Sequence, residues 1–198
     1  MLLKTIKNYN LILGTQSPRR HFLMKEAGFD FKIQIPEGID EIYPESIDIT
    51  DIPVFLAELK SSWFENKLTE KDIVITADTI VILENQVLGK PQSRDEAIYM
   101  IQQLSGRAHD VITGVCFKTI DKLYSFSALS KVFFRQLSNL EIEYYIDNYK
   151  PYDKAGSYGA QEWIGYIAIE HIEGSYFNVM GLPIQLLYSE LEKFIEKP

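Results

Sequence analysis

The stretch Ile73-Val74-Ile75-Thr76-Ala77-Asp78-Thr79-Ile80-Val81-Ile82-Leu83 is followed by Glu84-Asn85-Gln86 and then by Val87-Leu88. β-Branched residues favour a strand, because two heavy atoms on Cβ suit a pleated backbone. Ala77-Asp78 reads as an interruption of that strand. Glu84-Asn85-Gln86 reads as a turn that sends the chain back through Val87-Leu88. Working outward, Leu11-Ile12-Leu13 is a short buried strand. Phe29, Phe31, Ile33 and Ile35 alternate with polar residues, the period of a half-buried strand. Residues 111–120 and 123–134 read as strands joined at Asp121-Lys122, and another strand is expected near 164–171. Strands interleaved with helices imply parallel crossovers, whereas hairpins impose antiparallel pairs. The expected fold is therefore α/β, with a mixed sheet and flanking helices.

The helices announce themselves at their starts. Ser17 suits an N-cap and Pro18 the first helical position, with Phe22, Leu23 and Ala27 as an apolar face and Gly28 as the stop. After an acidic loop over 36–46, Ile52, Phe55, Leu56, Leu59 and Trp63 recur at helical spacing. Ser93 with Glu96, and Ser138 with Glu141, each fit a capping box. Pro183 precedes a closing amphipathic helix. No repeat, low-complexity tract or Gly/Ser linker marks a boundary, so a single domain over 1–198 is expected.

The chain has 198 residues, with 20 Lys+Arg against 28 Asp+Glu and a net charge of −8. This balance argues against a general nucleic-acid binder, which must neutralise many phosphates. A small phosphorylated ligand stays open, because a pocket can be locally basic in an acidic protein. The lone cysteine, Cys116, excludes a disulfide framework and a multi-cysteine zinc site, and its apolar surroundings in sequence place it in the core. No run approaches the roughly 18 apolar residues of a membrane span, and Lys4, Lys7, Asn8 and Asn10 break the N-terminus before a secretory signal can form. A cytoplasmic protein without membrane partners is expected.

Four clusters could carry chemistry. Ser17-Pro18-Arg19-Arg20 places two arginines at a helix start, where free N–H groups and arginine forks favour an anion. The bland alternative is a cap followed by two solvated arginines. Asp78 lies among apolar β-branched residues, where a carboxylate is costly unless paired or bound. It reads either as a general base or metal ligand, or as a solvent-facing strand break. Lys90, between Gly89 and Pro91, could reach a phosphate, although a turn lysine in water is the ordinary explanation; Lys60 likewise reads as a solvated helix position. The glycines of 150–161 permit close backbone approach to a ligand, and Gln161 offers donor and acceptor to a base edge; by composition alone the stretch is just a tight polar loop. Glu41 is a second candidate carboxylate, otherwise an exposed acid. The histidines at 21, 109 and 171 show no metal-like spacing.

In order and spacing these segments closely resemble the Maf family of nucleoside triphosphate pyrophosphatases, nearly end to end. The resemblance is carried by SPRR at 17–20, IDE at 39–41, ADT at 77–79 and LGKP at 88–91. LSGRAHDVITGV at 104–115, DKAGSYGAQ at 153–161 and GSYFNVMGLP at 174–183 continue it. It implies an ITPase-like α/β fold with two lobes around a cleft. It also implies metal-dependent hydrolysis of a nucleoside triphosphate to the monophosphate and pyrophosphate. On this resemblance Asp78 is the proton acceptor. Arg19, Thr79 and Gln161 match the positions associated with substrate choice, in the manner of the dTTP and UTP subgroup. Arg20, Lys60, Lys90 and Glu41 match polar positions lining the family's cleft. By their chemistry Arg20, Lys60 and Lys90 can bind phosphate, and Glu41 and Asp78 can supply carboxylates to Mg²⁺ or Mn²⁺. The methylated-guanine subgroup differs, with tryptophan after the proline and glutamate in place of Gln161. Two departures stand out: Leu13-Gly14-Thr15-Gln16 replaces an Ala-Ser approach to SPRR, and Glu162-Trp163 follows Gln161 where glycine is common.

The chemistry agrees with the resemblance. Cleavage between the α- and β-phosphates needs an activated water, charge neutralisation and a stabilised leaving group. Two carboxylates, a divalent cation and Arg/Lys side chains can supply these. The expected partner is a nucleoside triphosphate, and a homodimer is compatible with the resemblance. The rival reading is a nucleotide-binding regulator of septum formation that does not turn over its ligand, or a pyrophosphatase for another modified nucleotide.

Overall fold

The computed structural model describes residues 1–196. The helices are α1 (Leu2–Thr5), α2 (Pro18–Glu26), α3 (Ile52–Ser62), α4 (Arg94–Leu104), α5 (Asn139–Tyr149), α6 (Trp163–Ala168), α7 (Tyr176–Val179) and α8 (Ile184–Glu196). The strands are β1 (Asn10–Leu13), β2 (Lys32–Ile33), β3 (Asp72–Leu83), β4 (Gln86–Leu88), β5 (Ala108–Lys118), β6 (Leu123–Phe134) and β7 (Ile169–Glu173). Their hydrogen-bonded order is β2-β1-β3-β5-β6-β7, with β4 on β3. β1 runs parallel to β2 and β3, whereas β4 and β7 are antiparallel to β3 and β6. The sheet is mixed, as the hairpins require. No helix among the described residues is long and apolar enough to cross a membrane.

The chain divides into two compact units, neither of them contiguous in sequence. The first comprises Met1–Asp78, Thr113–Ala128 and the segment from Gly181 onward; the second comprises Thr79–Ile112 and Leu129–Met180. Within the first, Ile12 of β1, Val74 of β3 and Phe64 after α3 form a fully packed apolar cluster. Cys116 is buried, as expected. Gly114 of β5 meets the backbone of Pro53 and Val54 on α3 so closely that a Cβ there has no room. Within the second, α4 and α5 bury Ile101, Leu104, Ile142, Tyr145 and Ile146 against Val81, Val111, Val132 and Phe134 of the strands.

Several local expectations are corrected. β3 passes through Ala77-Asp78 without a break, because the flanking β-branched residues keep the backbone extended and Asp78 finds a partner. β2 is only Lys32–Ile33 and both its residues are exposed; of the alternating residues Phe29 alone is buried, and it lies ahead of the strand. On α2 the buried residues are Leu23 and Met24, while Phe22 is 54% exposed. α3 buries Ile52, Pro53, Leu56, Ala57 and Ser61 and leaves Phe55, Leu59 and Trp63 half-buried. The strand expected near 164–171 is helix α6 followed by β7, since Ile164 and Ala168 bury one helical turn apart. Gly165 there lies tight against the Ala160 backbone.

The end signals fare better. Ser17 Oγ accepts from Arg20 N. Ser138 and Glu141 form the complete reciprocal box. Ser93 accepts from Glu96 N, but the Glu96 carboxylate takes the Gln92 N–H, so that box is half made. Glu84 and Asn85 both have left-handed backbones (φ 48° and 68°), the type I′ geometry that closes a two-residue hairpin.

Candidate active site

In the first unit, chemistry gathers where β1 hands over to α2 and where its part of β3 ends. Gly14 N donates to Ile75 O at 2.8 Å, continuing the β1–β3 ladder one residue past β1. The chain then turns on Thr15, whose Oγ1 accepts from Ser17 N at 3.2 Å and from Arg20 Nη1 at 3.3 Å. Arg20 leaves the first turn of α2 and spends two further donors on backbone: Nε to Gly181 O and Nη1 to Ala77 O, each 2.8 Å. Burial lowers the Arg20 pKa, Asp78 raises it, Arg19 lowers it and Glu41 raises it. The ordinary value is so high that the guanidinium stays charged. Arg20 is thus fixed on the carbonyl that precedes Asp78.

Successive side chains of a strand point to opposite faces, so Thr76 and Asp78 share one. Thr76 Oγ1 donates to Ala57 O at 2.6 Å, pinning α3 to β3. One turn further along α3, Lys60 donates to Asp78 Oδ1 and lies 3.1 Å from Glu41 Oε1. The side chains of Lys60 and Asp78 are only 15% and 14% exposed, against 46% for Glu41. Lys60 is therefore no solvated face position: it joins both candidate carboxylates. Arg19, half-buried on the same first turn as Arg20, adds positive charge there. Thr15 and Thr76, which organise this cluster, carry no signal in sequence that separates them from ordinary threonines.

In the second unit, Thr79 follows Asp78 along β3 and is half-buried. Lys90 is exposed on its turn, and Gly89 O of that turn accepts from Gly156 N at 3.0 Å. That bond ties the turn to the 153–161 loop, which presents Gln161. Gln161 is half-buried, and its Oε1 is enclosed without a hydrogen-bond partner among the described residues. Left-handed backbones at Gly156 and Ser157 (φ 65° and 61°) bend the loop. Tyr145 Oη accepts from Gly159 N at 3.1 Å and donates to the Glu162 carboxylate, whose Oε1 lies 3.0 Å from Lys154 Nζ. His109 Nε2 and Tyr158 Oη are 2.8 Å apart. Burial pushes the His109 pKa down to about 3, so the ring is neutral at ordinary pH. Sequence reading took none of His109, Tyr145, Lys154 or Tyr158 as a site residue.

Among the described residues no group of three or more His, Cys, Asp or Glu side chains could hold a metal. The available donors are Asp78 and Glu41, and the Lys60 ammonium shows that both can converge on one positive charge. Two hard oxygens suit Mg²⁺, which keeps several waters and commonly takes one or two protein carboxylates. Cation-carrying and acidic groups thus meet at Asp78, and a loop with an enclosed amide is braced in the other unit.

A family model described as Maf-like protein matches residues 10–194. The chain is 49% identical to a dTTP/UTP pyrophosphatase of Parabacteroides distasonis, covering 98% of this chain and 100% of the relative. It is 48% identical to the protein of the same name in Phocaeicola vulgatus, covering 97% and 100%. Among solved structures, a HAM1 protein from Coxiella burnetii aligns with a TM-score of 0.51 at 11% identity, over 93% of this chain and 99% of that one. The Staphylococcus aureus Ham1 protein gives the same TM-score and coverage at 15% identity. These structural likenesses concern the fold alone.

Proposed function

Because this chain belongs to the Maf family, we propose that it is a nucleoside triphosphate pyrophosphatase that converts dTTP and UTP to their monophosphates and pyrophosphate. The observation that carries the reading is Asp78 bonded to Lys60, which also pairs with Glu41, while Arg20 is fixed on the adjoining Ala77 carbonyl. Relatives named dTTP/UTP pyrophosphatase along their whole length support it.

In this reading Asp78 takes the proton of the attacking water, as a general base held at a fixed strand position. Arg20, Lys60 and Lys90 neutralise charge on the phosphates and on the departing pyrophosphate. Lys60 exchanges its carboxylate contacts for phosphate oxygens when substrate arrives. Asp78 and Glu41 would hold a divalent cation, Mg²⁺ or Mn²⁺, which polarises phosphate oxygens and lowers the pKa of bound water. Arg19, Thr79 and Gln161 read the base. A uracil or thymine ring offers two carbonyl acceptors flanking one N–H, and the enclosed Gln161 Oε1 is an acceptor still in need of a donor. The cytoplasmic nucleotide pool is where such an activity operates.

The test is a screen of nucleoside triphosphates with product identification, with and without Mg²⁺ or Mn²⁺. The expected products are UMP or dTMP with pyrophosphate, and only with metal. Release of orthophosphate and a nucleoside diphosphate overturns the reaction class. Binding without turnover turns the reading toward the regulatory role.

A further inference from the structure

Glu162 occupies the N-cap position of α6 yet makes no side-chain cap. Glutamate is not among the residues that favour this position, where a short side chain answers the free N–H groups of the first turn. Its carboxylate turns the other way. One oxygen accepts from Tyr145 Oη and the other lies 3.0 Å from Lys154 Nζ. Tyr145 is fully buried, and the Lys154 side chain is only 9% exposed. A local preference broken at a residue whose partners are both buried points to a demand from elsewhere.

The three side chains close the loop at both ends. Lys154 stands at its start and Glu162 directly follows Gln161, so their ion pair fixes the span between them. Tyr145 holds the middle as well, because its oxygen accepts from Gly159 N at 3.1 Å while donating to Glu162. Lys154 Nζ also donates to Asp153 Oδ1 at 2.7 Å, so it keeps a partner when Glu162 is removed. What is lost is the cross-link between the two ends of the loop and the acceptor of the buried Tyr145 hydroxyl, which lets the loop reorganise. We propose that Glu162, clamped by Lys154 and Tyr145, is a positioning residue for pyrimidine recognition: it sets where the Gln161 amide stands. This rests on the reading that Gln161 contacts the base. Glu162 itself touches no reacting atom.

The experiment measures kcat and KM for UTP and CTP, and inhibition by inorganic pyrophosphate as a base-free probe. The proteins are the wild type, Glu162→Ala, Glu162→Gln and Tyr145→Phe. Misplacing a contact group by about 1 Å costs on the order of 10²-fold, so Glu162→Ala is expected to lower kcat/KM for UTP by roughly 10- to 100-fold. The loss falls mainly in KM, CTP suffers less, and the preference for UTP over CTP shrinks. Inhibition by pyrophosphate is unchanged. Glu162→Gln keeps an acceptor for Tyr145 and is expected to recover part of the preference, which serves as the conservative rescue and as the working variant if Glu162→Ala does not fold. A variant set that loses thermal stability or overall rate but keeps the wild-type UTP/CTP ratio overturns the proposal while leaving base reading by Gln161 intact. A wild type without that preference overturns base reading by Gln161 and the proposal with it.

Discussion

Asp78 has a neighbour that matters to any test of its role: Lys60, bonded to it and to Glu41. Asp78→Asn keeps the size of the side chain and an acceptor for Lys60, and Glu41 still answers the ammonium. The fold should persist while the base is gone. Turnover is expected to fall by about 10²- to 10⁴-fold, with a circular-dichroism spectrum like the wild type's; a folded variant with near-normal turnover removes Asp78 from the proton-transfer role. His109 invites a measurement of another kind. Its folded pKa is about 3, far below the roughly 6.5 of an unfolded histidine. Below pH 6.5 the unfolded chain takes up a proton that the folded chain refuses. Its contribution is therefore complete above pH 6.5 and is lost as pH falls toward 3, at roughly 1.4 kcal/mol per pH unit. Glu141, held down to about 2 first by its bond with Arg135, adds its own loss only below its ordinary value near 4.5. Between pH 6.5 and 4.5, the melting temperature of the wild type should fall more steeply than that of His109→Gln, and equal slopes would mean the proton goes elsewhere. At this scale the sequence is uneven. Asp78 is conspicuous because an acid among β-branched residues is locally anomalous. Lys60 looks like any helix-surface lysine, and without the resemblance only the contact with Asp78, distant in sequence, singles it out.

Helix ends and tight turns are encoded within a few residues, which is why Ser17, Ser138 and the Glu84-Asn85 turn could be read from sequence. Strand length and helix facing depend on what packs from far along the chain. α6 illustrates this: the β-branched Ile164, Ile167 and Ile169 suggest a strand, but Ile164 and Ala168 bury together at helical spacing, and so short a segment leaves the period undecided in sequence. Gly114 is a second long-range constraint. A Cβ there would run into the backbone of Pro53 and Val54, and backbone cannot step aside as the tip of a side chain can. Gly114→Ala must push α3 away from β5, and α3 carries Lys60. Overpacking of this kind costs about 1–3 kcal/mol and at times more. The expected result is a lower melting temperature together with reduced turnover, although the substitution lies in a buried strand and touches no phosphate. Wild-type stability and activity in this variant would show that α3 can shift without consequence.

Neither unit is continuous in the chain: it passes between units inside β3, at the Asp78–Thr79 peptide, inside β5 and β6, and between α7 and α8 at the Met180–Gly181 peptide, so three of the four crossings lie within strands, where sequence reading finds no linker. Asp78, Lys60, Glu41, Arg19 and Arg20 belong to the first unit, and Thr79, Lys90 and Gln161 to the second. Phosphates are the same in every nucleoside triphosphate, whereas the base edge is not. Lys60→Ala is therefore expected to lower kcat/KM for UTP, dTTP, CTP and GTP by a similar factor. Gln161→Glu replaces the amide by a carboxylate that only accepts, and so removes the donor that a uracil or thymine carbonyl needs. A site that loses a buried hydrogen-bond partner discriminates far more strongly than one that loses a methylene contact. UTP and dTTP should then suffer selectively, while CTP, whose exocyclic amine is a donor, is spared or improved. The measurement is kcat/KM for all four triphosphates in both variants at equal metal concentration. A uniform loss in Gln161→Glu, or a base-selective loss in Lys60→Ala, would exchange the roles assigned to these two residues without disturbing the identity of the bond that is cleaved.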